Sequence, residues 1–143
     1  MKQLILEKKD LKPSQPNFEI LGVFNPAITK FQDDIIMIAR VSESACQDDS
    51  NHYKVPILSQ DGKFEIVSLP KDNPNYDFSD LRVIKNHKKN YLTSLSHFRV
   101  GSSNDGVHFN FKSEDIILPL GPYEEYGIED PRITKLENTF YIT

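Results

Sequence analysis

The hydrophobic residues of this chain fall in short runs that alternate with polar, proline-rich and glycine-rich segments. Residues 35–39 (IIMIA) form a β-branched run that is too short for a buried helix and typical of a central strand. Asp61-Gly62 separates two further runs and favours a hairpin turn. No segment predicts a helix, so we expect an all-β fold with loops at 42–51 and 71–80. The predicted strands are residues 18–24, 35–39, 54–58, 63–69, 81–84, 91–100 and 107–111.

An internal repeat organises these strands. Residues 130–143 (DPRITKLENTFYIT) align without a gap on residues 25–38 (NPAITKFQDDIIMI), and a weaker copy begins at Asp80. The copies start at 25, 80 and 130, so their spacings are 80 − 25 = 55 and 130 − 80 = 50 residues. A period of about 50 residues built from short strands is typical of β-propeller blades.

The repeat also predicts how much of a domain this chain represents. Propellers close with roughly four to eight blades, whereas residues 1–143 contain two repeat intervals and the start of a third. We therefore expect residues 1–143 to be the N-terminal part of a single larger propeller domain.

Composition and charge exclude several classes of function. The chain has 17 lysines and arginines against 21 aspartates and glutamates, so it lacks the concentrated cationic surface that nucleic-acid binding requires. Its single cysteine, Cys46, excludes an internal disulfide and favours a reducing compartment. No apolar run approaches the roughly 20 residues of a membrane span, and no signal peptide is apparent. We expect a cytoplasmic protein without membrane or nucleic-acid partners.

The best candidate for chemistry is the segment GIEDPRIT at residues 127–134. On an extended backbone the adjacent carboxylates of Glu129 and Asp130 point to opposite sides, so only one is expected to face a pocket. Asn25, Asp80 and Asp130 occupy equivalent repeat positions, which converge on the axis of a propeller. Such a cluster suits a polyhydroxylated ligand, and an acid within it could protonate a glycosidic oxygen. We expect Asn25 to be extended because proline follows it.

Other residues have both functional and structural interpretations. Arg40 and Arg99 could bind hydroxyls or anions through their planar guanidinium groups, or pair with surface carboxylates. Tyr126, with Tyr123, could stack on a sugar ring or belong to the core.

Asp130 also has a structural interpretation, in which it caps a turn and Arg132 forms a structural ion pair. Ser96 and His97 lack the sequence context of a hydrolase nucleophile, and the four histidines have no metal-ligand spacing.

The sequence resembles the N-terminal part of glycoside hydrolase family 130, the five-bladed β-propeller β-mannoside phosphorylases and their hydrolytic relatives. The resemblance rests on four blocks: FNPA at 24–27, IARV at 38–41, YLTSLSHFRVGSSNDGVHF at 91–109 and YEEYGIEDPRIT at 123–134. The block at 91–109 is most similar to family members that act on β-1,2-linked mannosides. On this basis the chain covers the first two to three of five blades.

The resemblance implies that Asp130 is the general acid of an inverting β-mannoside phosphorylase. Its proton would pass through a hydroxyl of the bound mannosyl ring, while inorganic phosphate attacks the anomeric carbon and gives α-mannose 1-phosphate. Asn25 and Arg40 would contact the mannosyl unit, with Asp80, Arg99 and Arg132 as weaker pocket candidates. No cofactor or metal is implied besides phosphate as co-substrate, and the full-length protein is a candidate homo-oligomer.

Two alternatives remain open from the sequence. A hydrolase of the same family needs a second carboxylate to activate water, and the family segments that distinguish it from a phosphorylase follow the region matched here. A non-catalytic carbohydrate-binding propeller is the third interpretation, in which Asp130 would have no chemical role.

Overall fold

A computed structural model of the chain describes residues 3–59 and 61–143. The regular secondary structure of the described residues is β-strand apart from one short 3-10 turn, Lys8–Asp10, which confirms the predicted all-β class. None of them forms a helix long and apolar enough to cross a membrane. The strands are β1 (Phe18–Phe31), β2 (Asp34–Ala45), β3 (His52–Leu58), β4 (Phe64–Pro70), β5 (Asp77–Asp80), β6 (Val83–Lys85), β7 (Asn90–Leu92), β8 (Leu95–Ser103), β9 (Asn110–Ile117), β10 (Ile133–Leu136) and β11 (Thr139–Ile142).

The strands form separate small antiparallel sheets. The largest has the order β1-β2-β8-β9, and the others are β3-β4, β5-β6-β7 and β10-β11. The β3-β4 hairpin turns at the predicted Asp61-Gly62, where Gly62 has a φ of 77° that suits glycine. A propeller is built from a series of small antiparallel sheets, so this arrangement is compatible with the predicted propeller. The number of blades stays a prediction.

The internal repeat appears as two hairpins of the same register. In β1-β2, Ile28 pairs with Met37 and Phe31 with Asp34. In β10-β11, Ile133 pairs with Ile142 and Leu136 with Thr139. Each pair is displaced by 130 − 25 = 105 residues from its counterpart. The turn residues Gln32 and Glu137, with φ of 55° and 53°, are equivalent by the same offset. The two copies therefore fold alike down to the conformation of the turn.

Several predicted boundaries were wrong. The strand predicted at 18–24 continues to Phe31 because it stays paired with β2. The predicted loop at 71–80 contains β5, and the strand predicted at 81–84 begins only at Val83, after the turn in which the Arg82 amide donates to Asp80. The run at 91–100 divides into β7 and β8, which belong to different sheets, because Thr93 bonds back to the turn at 81–82 through its Oγ1 and its amide. Asp105 accepts hydrogen bonds from the amides of Val107 and His108, so this turn precludes the predicted strand at 107 and β9 begins at Asn110. The predicted loop at 42–51 begins later, since β2 continues to Ala45 between β1 and β8.

Two apolar clusters join the sheets. Phe18, Phe64 and Leu95 are buried together and connect the four-stranded sheet to β4. Val55, Leu69 and Ile84 form the second cluster, between the β3-β4 hairpin and β6. The clusters fix the sheets relative to one another because apolar area removed from water contributes about 25 cal/mol per Å².

A buried polar network lies beside the first cluster. Glu43 is fully buried, and its carboxylate accepts hydrogen bonds from the Ser14 amide at 2.9 Å and the Ser14 hydroxyl at 2.5 Å. His97 Nε2 lies 3.1 Å from Glu43 Oε1, off the line of a regular hydrogen bond, and Arg99 Nη2 lies 3.8 Å from the same oxygen. Burial raises the pKa of Glu43, but the contacts with His97 and Ser14 outweigh burial and lower it below its usual value.

We predict that Glu43→Gln destabilises the protein by about 2–4 kcal/mol at pH 7, because it leaves the buried Arg99 guanidinium group without its counter-charge. A carboxyl whose pKa is lowered on folding stabilises the fold above its ordinary pKa of 4.5, and this contribution disappears as the pH falls through the folded value. Urea unfolding of variant and wild type should therefore converge at acid pH. Glu65→Gln, at an exposed site on β4, is the control; equal midpoints for both variants at pH 7 would contradict the prediction.

Candidate active site

The segment before β10 is held against β8, one of the two inner strands of the large sheet. The Ile128 amide donates to the Ser96 carbonyl of β8 at 3.0 Å. Gly127 approaches the same residue so closely that a Cβ on Gly127 would lie 2.8 Å from both the amide nitrogen and the carbonyl oxygen of Ser96. Gly127 also has a φ of 98°, which side-chain-bearing residues rarely adopt. Glycine is thus required for this segment to reach β8.

Asp130 meets two of the predicted ligand-binding residues. Asn25 Nδ2 donates to Asp130 Oδ1 at 2.7 Å, and Arg40 Nη1 donates to the same oxygen at 3.0 Å. No contact within the described residues occupies Asp130 Oδ2. The Asp130 side chain is 47% exposed. One carboxylate oxygen is therefore fixed by protein donors, while the other is available to a ligand.

Asn25 and Asp130 share an unusual backbone conformation. Their φ angles are 31° and 49°, so Asn25 is not extended as its following proline predicts. Proline disfavours such conformations at the residue before it, whereas asparagine and aspartate tolerate positive φ better than other side-chain-bearing residues. The mutual hydrogen bond between Asn25 and Asp130 compensates for this strain, and strained residues of this kind cluster at functional sites.

Arg40 connects the site to the sheet. Its Nη2 donates to Glu129 Oε1 at 2.5 Å and its Nε to the hydroxyl of Ser96 at 3.2 Å. Its guanidinium carbon lies 5.4 Å from the centre of the Phe24 ring, within cation–π range. Glu129 and Asp130 therefore contact one guanidinium group. This corrects the expectation that they point to opposite sides, which assumed an extended backbone at Asp130.

The electrostatics of the site favour an ionised Asp130. The Asn25 hydrogen bond and the contacts with Arg40 hold the pKa of this carboxyl below its ordinary value of 3.8, and the charge of Arg132 acts in the same direction. Arg40 is the less exposed partner, at 20% against 57% for Glu129. The arrangement combines a fixed carboxylate with a guanidinium group that uses three of its five N–H donors on Ser96, Glu129 and Asp130.

An open cavity of about 580 Å³ lies between the two copies of the repeat. It is lined by Asn25, Pro26, Ala27, Ile28, Pro131, Arg132 and Ile133. Arg132 donates from Nη1 to the Pro131 carbonyl at 3.0 Å, which keeps this side chain folded against its own segment. The cavity is large enough for a small polar ligand.

The remaining predicted site residues lie elsewhere. Asp80 binds the amide and guanidinium of Arg82 within its own turn, and no described contact joins it to Asn25 or Asp130. Asp80 also lacks the positive φ of Asn25 and Asp130.

Arg99 is 3% exposed and donates to the carbonyls of Ser113 and Lys12, so its place is structural and differs from the predicted pocket role. Tyr126 is 44% exposed, in reach of solvent as a stacking residue must be.

Sequence reasoning missed three features of the site. It did not assign a role to Phe24, to the hydroxyl of Ser96 or to the contact between Glu129 and Arg40. The only sequence feature that could have assigned Phe24 to the site is its position directly before Asn25. Ser96 lies 56 residues from Arg40 along the chain, and only strand pairing brings them together.

The described residues contain no group of three or more His, Cys, Asp or Glu side chains that could hold a metal ion. The donors around Asp130 are an amide and a guanidinium, which bind anions and hydroxyls, not cations. What this arrangement can do is hold a carboxylate in place and present its second oxygen to a ligand hydroxyl.

Comparison with known proteins identifies close counterparts. A family model described as beta-1,4-mannooligosaccharide phosphorylase matches residues 77–143. The β-1,2-mannobiose phosphorylase of Listeria innocua is 33% identical over 138 residues, which are 93% of this chain and 39% of that protein. The β-1,2-mannobiose phosphorylase of a Thermoanaerobacter species is 40% identical over 40 residues, 28% of this chain and 13% of its own length.

A solved structure agrees with these matches. The Listeria innocua β-1,2-mannobiose phosphorylase in complex with β-1,2-mannobiose superposes with a TM-score of 0.80 at 32% identity, over 96% of this chain and 40% of that one. The chain therefore spans about two fifths of the length of this relative and corresponds to its N-terminal part. On sequence and structure together, the chain belongs to glycoside hydrolase family 130.

Proposed function

We propose that the protein is an inverting β-mannoside phosphorylase that converts β-1,2-linked manno-oligosaccharides and inorganic phosphate into α-mannose 1-phosphate. The observation that carries the proposal is Asp130, with Oδ1 held by Asn25 and Arg40 and Oδ2 left for a ligand. The β-1,2 linkage is supported by the two relatives, both of which are β-1,2-mannobiose phosphorylases.

Asp130 supplies the proton in this reaction. With the sugar bound, the protonated Oδ2 donates to a hydroxyl of the mannosyl ring, and that hydroxyl passes its own proton to the glycosidic oxygen. A phosphate oxygen attacks the anomeric carbon as the bond to the leaving sugar breaks. The products are α-mannose 1-phosphate and a mannoside one unit shorter, and Asp130 regains a proton from the solvent or from phosphate.

The lowered pKa of Asp130 places a requirement on substrate binding. In the free site the carboxyl is ionised at neutral pH, whereas a general acid has to carry a proton. A bound sugar displaces water from the half-exposed carboxyl, and loss of water disfavours the charged form. Binding of the mannoside is therefore part of preparing the acid.

A hydrolase of the same family is the second candidate. An inverting hydrolase places its two carboxylates on opposite faces of the sugar, roughly 6.5–9.5 Å apart. Glu129 and Asp130 do not meet this requirement, because both carboxylates lie against one guanidinium group. The phosphorylase needs no second carboxylate, since phosphate is already an anionic nucleophile.

We further propose that the small sheets are blades of a five-bladed propeller and that the protein acts in the cytoplasm. The 105-residue offset between the two matching hairpins supports the blade interpretation. The exposed apolar side chains Leu136, Tyr141 and Ile142 at the β10-β11 hairpin support a neighbouring structural element there.

Replacing the proton donor tests the reaction. In the full-length protein as its gene encodes it, Asp130→Asn should lower kcat for β-1,2-mannobiose with phosphate by roughly 10²–10⁴-fold, because the amide cannot act as an acid. KM should change little, since the amide is nearly isosteric. The control is Asp33→Asn, an exposed position in the β1-β2 turn. Mannose 1-phosphate formed equally by both variants would exclude Asp130 as the acid, and free mannose released without phosphate would indicate the hydrolase.

A glycine substitution tests the placement of the segment. Gly127→Ala should reduce phosphorolysis at least about tenfold, because the new methyl group would push Asp130 away from Arg40. Gly121→Ala is the matched control: Gly121 also has a positive φ, 73°, but nothing lies within 4 Å of its added Cβ. Both variants should lose some stability through backbone strain. Equal activity of the two variants would contradict the proposed role of the Gly127–Ser96 contact.

A further inference from the structure

The Arg40 guanidinium group divides its charge between two carboxylates. Its Nη1 faces Asp130 at 3.0 Å, its Nη2 faces Glu129 at 2.5 Å and its Nε is taken by Ser96. Two parallel contacts to separate carboxylates fix the plane of the fork as well as its position. Glu129 therefore determines how Arg40 is presented to Asp130, although no contact joins the two carboxylates directly.

The charged groups that face Asp130 come from two parts of the chain. Arg40 reaches it from β2, and Arg132 lies two residues further along its own segment. Asn25 from β1 is uncharged. Both cations favour the ionised carboxylate, which is the wrong form for a general acid. Glu129 is the other carboxylate that contacts Arg40, through Nη2 at 2.5 Å.

We propose that Glu129 is a positioning residue, which fixes the fork of Arg40 and offsets its charge so that Asp130 can carry the proton that the reaction needs. This proposal rests on the phosphorylase function proposed above. Glu129 itself neither donates nor accepts a proton in the reaction. Without it, Asp130 would face two cations with no compensating charge, and its protonated form would become rarer.

Glu129→Gln tests the proposal because it removes the charge and keeps the shape. The side chain is 57% exposed, so the substitution has little reason to unfold the protein. Glu129→Asp keeps the charge on a shorter arm. The matched control is Glu137→Gln: Glu137 is exposed in the β10-β11 turn, and the equivalent turn of the first repeat carries Gln32 with nearly the same φ.

The main measurement is the titration of the Asp130 carboxyl carbon by ¹³C NMR in the full-length protein, assigned with Asp130→Asn. We expect a lower midpoint in Glu129→Gln than in wild type, an unchanged midpoint in Glu137→Gln and a value near wild type in Glu129→Asp. The rate of phosphorolysis at pH 7 should fall roughly three- to tenfold in Glu129→Gln, as expected for loss of one charge near a partly exposed group, and less than twofold in Glu137→Gln.

The outcomes separate this proposal from the proposed function. An unchanged Asp130 midpoint in Glu129→Gln would overturn the role of Glu129, and a loss of activity without that change would make Glu129 merely structural. If the wild-type protein forms no mannose 1-phosphate, the proposed function fails, and the NMR titration still decides whether Glu129 controls the protonation of Asp130.

Discussion

The candidate site depends on one guanidinium group. Arg40 leaves the central strand β2 and ends between a hydroxyl of β8, the ring of Phe24 and two adjacent carboxylates. A planar, permanently charged fork can satisfy these neighbours together, which an ammonium group cannot do with the same geometry. Without Arg40, Glu129 and Asp130 would be neighbouring like charges with no common partner. Strand pairing in the large sheet and the chemistry of the site are thus coupled through a single side chain.

Around Arg40 the backbone is strained where the ligand is expected. Asn25 and Asp130 both precede proline with positive φ, and each stabilises the other through a hydrogen bond between their side chains. The close approach of Gly127 to Ser96 anchors the segment that carries Asp130. A scaffold that fixes one carboxylate oxygen leaves little freedom to the other, and this is the preorganisation that proton transfer requires. The equivalent position in the weaker repeat, Asp80, has neither the strain nor the partner, and it forms an ordinary turn.

The sequence predicted those features that depend on local pattern. Short β-branched runs, the Asp61-Gly62 turn and the repeat predicted the all-β class, the β3-β4 hairpin and the meeting of Asn25 with Asp130. Features that depend on contacts between residues far apart in the chain could not be predicted from the sequence. The position of Arg99 in the interior follows from its carbonyl partners at Lys12 and Ser113, and the division of 91–100 into two strands follows from a bond to a turn twelve residues away. The common orientation of Glu129 and Asp130 needed a positive φ that no propensity predicts before proline.

The central claim is that protein donors fix Asp130 Oδ1 so that Oδ2 meets the substrate. A crystal structure of the full-length protein with β-1,2-mannobiose bound tests this most directly. The account predicts a hydroxyl of the sugar within about 3 Å of Asp130 Oδ2, while Asn25 and Arg40 remain on Oδ1. A mannobiose bound away from Asp130, or bound with Asn25 and Arg40 turned from its carboxylate, would contradict the account.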